Sequence, residues 1–196
     1  MSSVNLLPDA QAVEPAGRAG EDAHAALRPE AERFVELLLA NDRRSASRLI
    51  HDHVDGEATL PEVYVGIFQP ALYEIGRRWE HNRITVAQEH CCTAAIQVIM
   101  SELYPRLFTT ARRGVSFTAA SASGELHEVG IRMVCDLFEA DGWDTYYIGA
   151  NTPTDALVAS VEQERPAVVG LGATLAEHVE KVAGMIEAIA DRGLRR

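Results

Sequence analysis

Apolar positions between residues 29 and 108 recur at steps of three and four, the period of an amphipathic helix. Phe34, Leu37 and Leu38 mark a first helix, and Leu49, Ile50 and Val54 a second. The third begins at a capping box, Thr59 with Glu62, has Pro61 in its first turn, and lines up Phe68, Leu72, Ile75 and Trp79 as one stripe. A fourth starts at a second box, Thr85 with Gln88, and is predicted to bury Cys91, Ala94, Ala95, Val98 and Ile99 before "YPRL" ends it. Short turns between them predict a four-helix bundle over 29–108. After "TTARRG" the period changes. "VSFTAAS", "DTYYIGA" and "AVVGLGATL" read as strands, each followed by a helical segment that ends near residues 142, 165 and 193. This alternation predicts a parallel, doubly wound α/β domain over 114–196, with its ligand outside the carboxyl ends of the strands. Only three β-α units are present, so the domain is expected to be incomplete at its C-terminal side.

Residues 1–28 are rich in Ala, Gly, Pro and acids without a sustained apolar period, and are expected to form a disordered leader. Composition otherwise acts by exclusion. A 47% hydrophobic content over 196 residues suffices for real cores. A net charge of -11 and a pI near 5.1 oppose nonspecific binding to nucleic acid or anionic membranes. No apolar run approaches the roughly 18 residues of a membrane span, and the N-terminus lacks a signal-peptide layout, which places the chain in the cytoplasm. Cys91 and Cys92 are adjacent and Cys135 stands alone, which is neither a disulfide set nor a zinc spacing, so all three read as small core residues.

Two constellations could carry chemistry. In "WEHNRITVAQEH", Trp79 closes the third helix while Glu89 and His90 lie in the first turns of the fourth, so the hairpin brings all three to one end of the bundle. The bland alternative is a tryptophan capping the core beside two surface polar groups at a helix N-terminus. In "GELHEVG", Glu125, His127 and Gly130 follow the first strand directly, at the mouth of the sheet. There Glu125 can hold one ring nitrogen while the other faces a ligand, the way proteins present a neutral imidazole to a metal. Gly130 would let the next helix start close to something bulky. The bland alternative is a solvated loop histidine. "HDHVDGE" is a poor metal site, since His51 and His53 are two apart on a helix and point to nearly opposite sides. There is no phosphate loop, nucleophile elbow or zincin motif, so an enzyme is not expected.

A helical bundle with Trp-x(9)-Glu-His, followed by a domain with Glu-x-His-x-x-Gly, resembles the cobalamin-binding photoreceptors of the CarH type and their AerR-like antirepressor relatives. The resemblance covers about residues 30–196. It implies a Rossmann-like (flavodoxin-like) cobalamin-binding domain under a helical cap. It also implies His127 as the lower cobalt ligand, backed by Glu125, with Leu126, Gly130 and Thr174 among the cofactor contacts. Trp79, Val86, Glu89 and His90 would roof the upper face over an adenosyl group, making adenosylcobalamin the expected cofactor. The implied function is light-responsive regulation of transcription through a protein partner, a transcription factor, without direct contact to nucleic acid or membrane, and with a light-dependent homo-oligomer left open. Two other readings stand beside it: a corrinoid methyl carrier serving a methyltransferase, and a degenerate interaction module without cobalamin. The chain departs from the family pattern in three ways. A leader stands where relatives have a basic helix-turn-helix domain, Gly172 where a serine often lines the tail pocket, and Glu80 where some photoreceptors have a histidine, with His81 one place further on.

Overall fold

A computed structural model describes residues 27–194. The expected leader thus lies outside the described residues except for Leu27 and Arg28, and Arg28 already begins the first helix. Helix α1 is Arg28–Leu39 and α2 is Arg43–Asp55. Helix α3 runs as Leu60–Val63, a π-helical segment Tyr64–Phe68, and Gln69–Glu80. Helix α4 is Val86–Glu102, and a single turn, α5, is Tyr104–Leu107. Both predicted capping boxes are formed, with Thr59 accepting from Glu62 N–H and Thr85 from Gln88 N–H. The π segment widens the helix so that Val63, Tyr64, Ile67 and Phe68 all turn inward.

The second half alternates as β1 (Ser116–Ser121), α6 (Val129–Ala140), β2 (Asp144–Gly149), α7 (Thr154–Glu164), β3 (Val168–Gly172), a 3₁₀ turn Ala176–His178 and α8 (Val179–Asp191). The strands are parallel in the order β2-β1-β3. Helix α6 packs on one face against Phe117 and Ala119 of β1. Helices α7 and α8 cover the other through Leu157, Val158, Val161, Met185 and Ile189. The result is a helical cap followed by a Rossmann-like sheet flanked by helices. With β1 in the middle, its C-terminal end is the natural focus of a site.

Helix α6 joins the two halves, because Val129 and Met133 belong to the core of the helical cap. Here Tyr64 donates its hydroxyl hydrogen to Asp136 Oδ2 at 2.9 Å, and both side chains are buried. Burial pushes the Asp136 carboxyl up, against the lowering effect of the Tyr64 hydrogen bond. Tyr64→Phe leaves that carboxylate without its donor and is expected to cost about 1–3 kcal/mol at neutral pH. The loss should shrink in acid, since a raised carboxyl pKa stabilises the fold below it and that gain is lost as pH rises through it. Denaturant midpoints at two pH values check both statements.

Three expectations need correction. The buried face of α4 is Cys92, Ala95, Ile96, Ile99 and Met100, whereas Cys91, Ala94 and Val98 are exposed. The helix is apolar nearly all round, so its pattern does not choose a face; contact with α1, α2 and α3 does. Cys91 is accordingly not a core residue, while burial pushes the Cys92 and Cys135 thiols up to about 11. The α3 stripe ends at Ile75, and Trp79 is 45% exposed. Among the described residues no helix is long and apolar enough to cross a membrane.

Candidate ligand-binding site

The loop from β1 to α6 is held from both neighbouring strands. Gly124, at φ +84°, donates its N–H to Asn151 Oδ1 at 2.7 Å, and Asn151 N–H returns a bond to Glu125 O at 2.8 Å. Glu125 is fully buried, and its carboxylate collects five donors. Oε1 accepts His127 N–H at 2.9 Å and His127 Nδ1–H at 2.6 Å. Oε2 accepts Thr174 N–H at 2.7 Å, Leu175 N–H at 3.2 Å and His178 Nδ1–H at 2.9 Å. Burial alone would raise this carboxyl; the hydrogen bonds from His178, the His127 and Thr174 backbones and the His127 ring outweigh it and hold it far below the usual carboxylate range.

An ionised carboxylate only accepts, so the Glu125 bond puts a proton on His127 Nδ1, and in the neutral ring the lone pair is then on Nε2. The His127 side chain is 55% exposed, and Nε2 has no partner among the described residues. Leu126 is exposed beside it, and a Cβ on Gly130 would meet nothing within 4 Å. A basic nitrogen thus faces open space bordered by apolar surface, with room where α6 starts. Glu128 anchors the rear of this loop, accepting from Tyr147 Oη at 2.8 Å, Ala150 N at 3.1 Å and Gln97 Nε2 at 3.0 Å.

The Gln97 bond ties α4 to the residue next to His127. Val86, His90, Thr93 and Gln97 follow one another at steps of four, three and four, so they share one face of α4. At 1.5 Å per residue, His90 and Val86 lie about 10 and 16 Å along the axis from Gln97. Glu89 Oε2 lies 2.5 Å from His90 Nδ1, and Glu89 Oε1 accepts from Thr93 Oγ1 at 2.8 Å. His90 is therefore a second carboxylate-backed imidazole, with its side chain 74% exposed. Trp79, Ile84, Thr85, Val86 and Gln88 line a surface hollow at the same end of the bundle. The structure pairs Glu125 with His127 and Glu89 with His90, places Trp79 at the hollow with Val86, and joins α4 to the ligand loop through Gln97 and Glu128.

Thr174 enters the site through its backbone, not its hydroxyl. Gly172 packs closely on α6: a Cβ there would stand 3.0 Å from Ile131 Cβ, so a serine would require Ile131 to give by a few tenths of an ångström. His51 and His53 turn to different partners, Glu102 at 3.2 Å and Glu30 at 3.7 Å. Among the described residues no group of three or more His, Cys, Asp and Glu could hold a metal ion by itself. The sequence pattern did not single out His178. Its only local signal is a histidine at the start of a helix, and its partner Glu125 is 53 residues away.

Two family profiles, each described as a B12 binding domain, match residues 30–104 and 115–196. Among curated proteins the chain is similar to the HTH-type transcriptional repressors CarA and CarH of Myxococcus xanthus. It is 30% identical to CarA over 81% of this chain and 54% of that protein, and 29% identical to CarH over 98% and 66%. It is also 19% identical to a corrinoid protein of Desulfitobacterium hafniense, over 84% of this chain and 78% of that one. The solved structure of the monomethylamine corrinoid protein of Methanosarcina barkeri shares the fold, at a TM-score of 0.72 and 14% identity over 83% of this chain and 78% of that one. The chain thus spans about half to two thirds of the two repressors.

Proposed function

The chain belongs to the family of B12 binding domains, and from that premise we propose that it holds cobalamin base-off between its helical cap and its sheet, as a non-catalytic corrinoid carrier. It is a cobalamin-binding protein related both to transcriptional regulators and to corrinoid proteins. One observation carries the finer reading: the His127 imidazole is locked by a buried carboxylate with Nε2 turned to open space. That is the donor a cobalt ion needs from below. Leu126 and the bare Cα of Gly130 would lie against a flat macrocycle, and Thr174 N–H helps to keep Glu125 ionised behind it. Val86, Glu89 and His90 would face it from above on α4, with Trp79 beside them. Cobalamin bound here would supply a cobalt-carbon bond that can be broken for group transfer or by light.

The carrier reading draws on the similarity to the Desulfitobacterium hafniense corrinoid protein, which extends over 84% of this chain. A second reading, light-responsive regulation through a protein partner, is favoured by the cluster of Trp79, Glu89 and His90 and by the 29–30% identity to the two repressors. The test common to both is titration with cobalamin in the dark. A base-off spectrum with a nitrogen ligand supports the site, and no binding leaves the degenerate module.

The two uses part at Trp79. If the upper surface is shaped for adenosyl, Trp79→Ala weakens adenosylcobalamin binding more than hydroxocobalamin binding, because an indole contributes a few kcal/mol of burial against the larger ligand, on the order of 10-fold or more in affinity. Illumination of the parent should then change its oligomeric state or proteolytic sensitivity. Equal losses for both ligands, with no response to light, leave the carrier reading.

A further inference from the structure

We propose that His178 is a positioning residue for the lower ligand: by donating Nδ1–H to Glu125 Oε2 it fixes the carboxylate so that Oε1 stays aimed at His127. This rests on the reading of His127 as cobalt ligand and adds a member that neither motif contains.

The five donors on Glu125 divide cleanly. Both of those on Oε1 come from His127, and all three on Oε2 come from the segment after β3. Of those three, Thr174 N–H and Leu175 N–H belong to one exposed stretch of backbone, and His178 is the only side chain. Its side chain is 5% exposed, so its orientation is set by packing at the start of α8. An imidazole buried this way costs free energy unless its polar atoms are paired, and the pairing it finds is with Glu125 and, at 3.5 Å on Nε2, with Glu177 Oε1. The ligand loop also passes close to the start of α8: a Cβ on Gly124 would stand 2.5 Å from Lys181 Nζ and in ordinary contact, at 3.5 Å, with His178 Nε2. His178 therefore connects the β3 segment, through one carboxylate, to the ring that is to meet cobalt. If it is lost, Oε2 keeps only its backbone donors, water can reach the carboxylate, and the Glu125 side chain can turn away from His127.

The experiment loads the full chain with cob(II)alamin and reads the nitrogen splitting of the axial ligand by electron paramagnetic resonance, together with affinity. His178→Ala is expected to weaken binding roughly 10- to 100-fold, as loss of a ligand's hydrogen-bond partner does, and to reduce the nitrogen-split fraction at saturation. His178→Asn keeps an N–H near the position of Nδ1 and should restore both. In a His127→Ala background, His178→Ala should add no further loss, which a merely structural role would not predict. Unchanged splitting and affinity in His178→Ala, failure of His178→Asn to restore them, or an additive loss in the double variant would each overturn the proposal. A parent without nitrogen splitting would remove the His127 reading itself, and this one with it.

Discussion

His127→Ala is expected to bind cobalamin on the order of 100-fold more weakly or worse, and to lose the spectrum of a nitrogen-ligated corrinoid, while folding as the parent does. The scale follows from the partner groups: removing a residue that merely orients a metal ligand costs 10- to 100-fold, and removing the ligand cannot cost less. Folding should survive because the ring is more than half exposed and its outward nitrogen has no partner among the described residues. The His127 backbone N–H to Glu125 Oε1 remains in the variant, so the loop keeps most of its hydrogen bonds. Unfolding curves and cobalamin titrations on the same preparations separate the two effects. A variant with the parent's affinity and spectrum would mean that His127 is an ordinary loop histidine.

Much of the frame of this site was legible in the sequence, because its signals are local. Thr59 with Glu62 and Thr85 with Gln88 start helices that begin where those boxes predict. The pairing of Glu125 with His127 was legible for the same reason, since the two residues are two apart on a short loop at the end of an apolar strand. What the sequence could not express was contact made by topology. His178 meets Glu125 only because β3 lies beside β1 in a parallel sheet, which brings their C-terminal loops together across 53 residues. Tyr64 and Asp136 meet across 72 residues for the comparable reason that α6 packs on the helical cap. The face of α4 was misjudged because Cys91, Cys92, Ala94, Ala95, Ile96, Val98, Ile99 and Met100 offer apolar groups in every direction, and only packing decides among them. Trp79 fell on the periodic stripe yet stands 45% exposed, since the helix outruns the core before its last turn.

Glu125→Ala should be the most damaging change in the sheet half of the chain. The parent carboxylate satisfies three backbone N–H groups and two imidazole N–H groups from a position with no solvent exposure. Each buried donor left unsatisfied costs about 1–3 kcal/mol, so even partial entry of water leaves a loss of roughly 3 kcal/mol or more. Glu125→Gln fills the same volume but is no rescue: an amide turns an NH₂ toward one of the two sets of N–H donors, and donor faces donor. The pH dependence identifies the carboxylate as the cause. Its pKa in the folded protein is depressed well below the ordinary 4.5. Its contribution is therefore fully present above about 4.5 and is lost as pH falls through the depressed value. The stability gap between parent and Glu125→Gln should hold constant from pH 7 down to about 5 and narrow only in stronger acid, as the parent takes up a proton. Denaturant midpoints of both proteins across that range measure it. A gap that closes already between pH 7 and 5 would show that the ionised carboxylate is not what holds the loop together.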